Sequence, residues 1–152
     1  HSLYGIQTWI ALPENREDME PTFEHHGKEA LPEIEADGVR ARLILGHAYG
    51  EKAPATLYSE TFYLDVTLTP GARFPLPDDH EDRGLYITEG SVSIGGQEFE
   101  AGRMMVFRPG DQITVAAGAQ GAVNVRDAQR QMEQALKAAQ QNQQRELDKQ
   151  SE

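Results

Sequence analysis

The chain has 152 residues, 26% of them charged, with a formal net charge of −11 and no cysteine. A chain of this length buries roughly 70% of its unfolded surface, so one core forms without staples. The absence of thiols excludes disulfides, thiolate zinc sites and cysteine nucleophiles, and it fits a reducing, cytoplasmic setting.

The charge is unevenly placed. Residues 1–123 carry nine lysines and arginines against twenty acids, whereas residues 124–152 carry five of each. An acidic body repels phosphates, which argues against direct nucleic-acid binding. No apolar run approaches the roughly 20 residues that span a bilayer, so no membrane partner is expected. The start, "HSLYGIQTW", has neither a basic nor an apolar leader region. It also lacks a methionine, and it reads as a segment processed or excised from a longer chain.

In chain order, "LYGIQTWIA" (3–11) is aromatic and β-branched and predicts a strand. Leu12 to Gly38 holds three prolines and many charges with no sustained period, and predicts a long surface loop. Strand candidates with turn residues between them follow at 39–46, 56–68, 84–90, 91–96, 97–102, 103–110 and 111–118. Over 62–68, Phe62, Leu64, Val66 and Leu68 alternate with Tyr63, Asp65 and Thr67, the period of a half-buried strand. Gly95-Gly96 is a hairpin signal. Short strands at even spacing predict an all-β sandwich or barrel.

The end differs. No glycine or proline occurs from Val123 to Gln150. Asn124 followed by Asp127 resembles a helix N-terminus. Val125, Ala128, Met132, Ala135, Leu136 and Ala139 make one apolar stripe at helical spacing. The expectation is a helix packed on the barrel with a glutamine-rich, solvated finish, giving a domain over 1–123 and a helical tail over 124–152. A helix that binds a partner is the alternative.

"GIQTWIALPENREDMEPTFEHH", taken with "TFYLDVTLTPGARFPLPDDHEDRGLYITEGSVSIGGQEFEAGRMMVFRPG", resembles the C-terminal half of pirin-like proteins in the cupin superfamily. The resemblance covers roughly residues 3–122. It implies a single cupin-type barrel (a double-stranded β-helix, or jelly roll) followed by a C-terminal α-helix. It also implies a neighbouring N-terminal barrel that carries the family's metal.

The general cupin pattern G-x5-H-x-H-x(3,4)-E-x6-G can be laid from Gly71 to Gly90. Its histidine positions then fall on Pro77 and Asp79, and its glutamate position falls on Arg83. No histidine follows residue 80. One carboxylate beside an arginine is a poor metal site, so no metal, cofactor or catalytic residue is expected inside this barrel. The remaining loop histidines, His25, His26 and His80, form a weak alternative site; His47 leads into an Ala-Tyr-Gly-Glu turn. Iron, nickel, copper or zinc enter only through such a site. Ser59 and Ser91 lack a nucleophile's setting, Glu89 reads as a turn residue, and Trp9 and Tyr86 read as core or barrel-mouth residues.

In the family, a further apolar segment precedes the C-terminal helix, whereas here "VAAGAQGAVNV" passes almost directly into it. The segment is either deleted or falls in an unrecorded gap; if deleted, the expected result is a barrel short of one strand, with an exposed edge that pairs with another chain. The reading is a structural or ligand-gating half of a two-barrel protein. Its partner is a second copy or an N-terminal cupin barrel. The alternative is a metal-dependent oxidoreductase like the family's quercetin dioxygenases.

Overall fold

The structure, a computed structural model, describes residues 5–119. The tail helix expected over 124–152, and the domain boundary before it, lie outside the described residues. The described residues are all-β apart from two short 3-10 turns at Glu14–Arg16 and Lys28–Ala30. The strands are β1 (Glu33–Ala36), β2 (Val39–Ala48), β3 (Glu51–Lys52), β4 (Phe62–Leu68) and β5 (Arg73–Pro75). They continue as β6 (Arg83–Tyr86), β7 (Ser91–Ile94), β8 (Gln97–Glu100), β9 (Met104–Phe107) and β10 (Thr114–Ala117). Every pairing is antiparallel. β2 joins β1, β3 and β4; a second sheet runs β5-β10-β7-β8; β6 and β9 form a two-stranded ribbon.

β2 shows how the sequence builds this. Val39, Ala41 and Leu43 point inward and are buried, while Arg40 faces out. Alternation of this kind commits one face to the core. The register then slips by one residue between Leu43 and Leu45 in its pairing with β4. Such a bulge re-aims the side chains that follow. Gly46 continues with φ +77, and a Cβ there would meet the Thr61 carbonyl oxygen at 1.7 Å. Only glycine fits. Beyond it Ala48 turns inward and His47 faces out. Tyr49 and Gly50 both have positive φ and turn the chain into β3, the geometry of a two-residue type I′ hairpin. Gly95-Gly96 makes the same kind of turn between β7 and β8, as expected.

The main core gathers Val39 and Ala41 from β2, Leu68 from β4, Phe74 from β5, Val92 from β7 and Val115 and Ala117 from β10. Leu43, Ala48 and Ala53 make a smaller one.

Three expectations need correction. Residues 5–13 form no strand, and Trp9 is 88% exposed rather than a core residue. Strand propensity is realised only beside a partner, and among the described residues this segment has none. The segment from Leu12 to Gly38 is a loop only as far as Pro32. Its last part is β1, where Arg42 of β2 hydrogen-bonds across the ladder to the facing Glu33 carboxylate. Residues 56–61 are irregular, so the strand expected over 56–68 begins only at Phe62. β3 and β5, of two and three residues, are too short for alternation to reveal.

The long loop is tied down at Glu24, whose carboxylate accepts the Thr56 amide at 3.0 Å and His26 Nε2 at 3.1 Å. Hydrogen bonds from Thr56, then from His26, lower the Glu24 pKa to about 2. Because the folded value lies below the ordinary 4.5, the tie is complete above that ordinary value and is lost as pH falls through about 2. The Thr56 amide resonance should therefore titrate with a midpoint near 2 rather than near 4.5, and Glu24→Gln should abolish that titration. In the smaller core, Leu43→Ala should destabilise by about 2–5 kcal/mol in urea denaturation.

Candidate functional site

The inner faces of β4, β5, β6, β7 and β10 enclose a cavity of about 110 Å³. Its wall includes Leu64, Val66, Phe74, Leu85 and Val92, with Arg83 as its cation. A void of this size is well below the roughly 300–1,000 Å³ of an ordinary small-molecule site. Glu89 reaches the wall as well, and burial raises its carboxyl pKa. Beside the cavity, a surface groove of about 580 Å³ shares Leu64 and Val66 of β4 and Leu85 and Tyr86 of β6.

Arg83, the residue on which the cupin pattern's glutamate position falls when laid on the sequence, is only 2% exposed. Its Nη1 donates to the Pro77 carbonyl at 3.1 Å, and Nη2 donates to the carbonyls of Asp111 at 2.6 Å and Arg108 at 3.3 Å. Nε has no hydrogen-bond partner among the described residues. The planar fork of an arginine suits such a task, reaching several acceptors from one rigid group. Here it ties the turn after β9 to the start of the loop between β5 and β6. That loop is held at two further points. The Leu76 amide donates to Ile113 O at 2.9 Å, and Gln112 Nε2 donates to the Asp78 carboxylate at 2.8 Å. The second bond, ahead of the nearby Arg83 charge, lowers the Asp78 pKa.

The same loop carries Asp79 and His80 to the end of β2. There the side-chain nitrogens of His47 and His80 and the Asp79 carboxylate all lie within 4.8 Å of one another. Asp79 Oδ2 is 3.8 Å from His47 Nε2, and Oδ1 is 3.8 Å from His80 Nε2. The His80 ring is 9% exposed. It packs on Phe62, a cavity-wall residue, with ring centroids 4.5 Å apart, and lies 5.1 Å from the His47 ring. Its Nε2 donates to the His47 carbonyl at 3.3 Å. Tyr49, one turn beyond His47, donates its hydroxyl to the Pro75 carbonyl. Burial, and then the Asp79 charge, hold that phenol well above its usual pKa range.

The three degenerate cupin positions thus separate. Pro77 is buried and serves Arg83 through its carbonyl, Arg83 braces loops, and Asp79 sits on the exposed rim with two imidazoles. The histidines regroup as well. His80 joins His47 and Asp79, while His26 is spent on Glu24 and, among the described residues, His25 joins no such group. Nothing local in the sequence marks His47 as a neighbour of Asp79, 32 residues away. Ser91 donates to Glu98 at 2.9 Å, a structural bond.

Antiparallel sheets wrapped around a largely apolar core are the architecture of a cupin domain. Residues 63–125 match the Pirin C-terminal cupin domain. A pirin-like protein of Caulobacter vibrioides is 40% identical over 114 residues, covering 74% of this chain and 40% of that protein. A putative quercetin 2,3-dioxygenase of Pseudomonas aeruginosa is 32% identical over 120 residues, covering 76% and 38%. Among solved structures, a quercetin 2,3-dioxygenase from Acinetobacter baumannii superposes with a TM-score of 0.63 at 28% identity, covering 74% of this chain and 38% of that one. Together these matches support a pirin-like cupin protein, similar to that family's C-terminal domain. It spans about 40% of the length of the curated relatives it matches.

Arg83→Met should destabilise the domain by on the order of 3 kcal/mol, because three carbonyls lose a charged donor. Urea denaturation measures this, and Arg83→Lys should recover only part of the loss.

Proposed function

We propose that this chain is the structural or ligand-gating half of a two-barrel pirin-like protein, with the oxygen chemistry of the family placed outside residues 1–152. The observation that carries this reading is the commitment of Arg83. The group at the cupin glutamate position is a buried cation bound to three carbonyls, facing a small apolar cavity. A metal ion seated in that cavity would meet hydrocarbon, the Arg83 cation and a single carboxylate, Glu89, instead of a cluster of imidazoles and carboxylates, so the interior residues do not fit the group. The domain is taken as residues 1–123, followed by the segment 124–152.

Self-association belongs to the same reading. Among the described residues, β4 pairs with β2 alone and β6 with β9 alone, and the groove beside the cavity draws its wall from both. Unpaired edges of this kind template pairing with another chain. Tyr86, Met104 and Val106 on the β6–β9 ribbon are 55%, 63% and 78% exposed, an apolar strip that favours coverage by a second copy.

Two measurements test the proposal. With quercetin and added iron, nickel or copper salts, the purified chain should consume no dioxygen beyond the metal blanks; turnover would move the assignment to a metal-dependent, quercetin dioxygenase-like oxidoreductase. Sedimentation velocity should show a dimer or larger, and Met104→Glu with Val106→Glu should return it to monomer. A wild-type monomer at high concentration would remove the association claim.

A further inference from the structure

The structure assigns to this chain a divalent transition-metal site of its own, formed by His47, Asp79 and His80 on the rim of the barrel and separate from the cupin interior. Two imidazoles and one carboxylate form a donor set for a borderline first-row ion such as zinc or nickel, with water completing the shell.

Geometry carries the assignment. Ligands bound at about 2.0–2.2 Å around one ion lie roughly 3.0–3.5 Å apart. Here each imidazole Nε2 stands 3.8 Å from a different oxygen of the one carboxylate. At 3.8 Å these contacts lie beyond hydrogen-bonding distance. They lie a few tenths of an ångström beyond a coordination shell, and the widest separation within the group stays inside 4.8 Å. The three groups converge without satisfying one another.

The ligands are also held from behind. His80 is nearly buried, wedged on Phe62, with Nε2 near the His47 carbonyl. An arriving cation takes the lone pair of that nitrogen after its proton shifts to Nδ1. His47 is aimed outward by the bulge and by Gly46, where no side chain fits. Asp79 rides a loop fastened through Arg83, Ile113 and Gln112. Asp78, Glu81 and Asp82 in the same loop raise the local concentration of cations. A bound ion would cross-tie the end of β2 to the loop between β5 and β6, and so stabilise the folded chain.

The test uses the full chain, stripped with chelator, and zinc chloride as the probe. Calorimetric titration should give one ion per chain, and saturating zinc should raise the melting temperature. His47→Ala and Asp79→Asn, both at half-exposed positions, should each weaken binding by about tenfold or more and abolish the melting shift. His80→Ala should do the same, but its packed ring makes the other two variants decisive if it misfolds. His25→Ala with His26→Ala should bind as the parent does. Cobalt(II) in place of zinc should give visible absorption that the Asp79→Asn variant loses. Zinc binding that survives His47→Ala and Asp79→Asn, or that disappears with His25 and His26, overturns the assignment. So does an absence of binding.

Discussion

The structure depends on the guanidinium of Arg83. A buried charge without a carboxylate partner is tolerated only when fixed dipoles replace its hydration. Here the carbonyls of Pro77, Arg108 and Asp111 supply those dipoles. They belong to two chain segments more than thirty residues apart, so the arrangement that solvates the arginine also fixes both ends of the barrel's β5–β6 loop. Asp78 stands close enough to feel the same charge, which offsets part of the cost of burying it.

That brace determines what the interior can be. With the guanidinium turned toward backbone oxygens, the rest of the cavity wall is mostly aliphatic and aromatic, with Thr88 and Glu89 as its polar members. The space encourages neither a cation nor a strongly polar ligand. Along the seam between β4 and β6 the inner cavity and the outer groove share residues. Each of these strands has a ladder on one side only among the described residues. The seam adds a candidate docking edge to the reading that Arg83 carries.

The rim behaves differently because it is wet. His47 and Asp79 are half exposed, so charge there costs little desolvation, while His80 is anchored by aromatic packing. The arrangement is a rigid imidazole beside two adjustable ligands. Arg83 again stands behind it, since the loop it fastens is the loop that bears Asp79 and His80.

The all-β class, the order of most strands and the glycine turn at residues 95–96 were legible in the sequence, because alternation and turn chemistry are local properties. The spacing that lays the cupin pattern on Pro77, Asp79 and Arg83 could be read locally, but the three separate fates of those residues could not. The fate of residues 5–11 was not: a strand-like composition forms no strand without a neighbour to share hydrogen bonds. Nor was the company of Asp79, because His47 reaches it only through the β2 bulge and the braced loop. Which side chains meet across 32 residues depends on the closure of the barrel, and only the tertiary structure decides that.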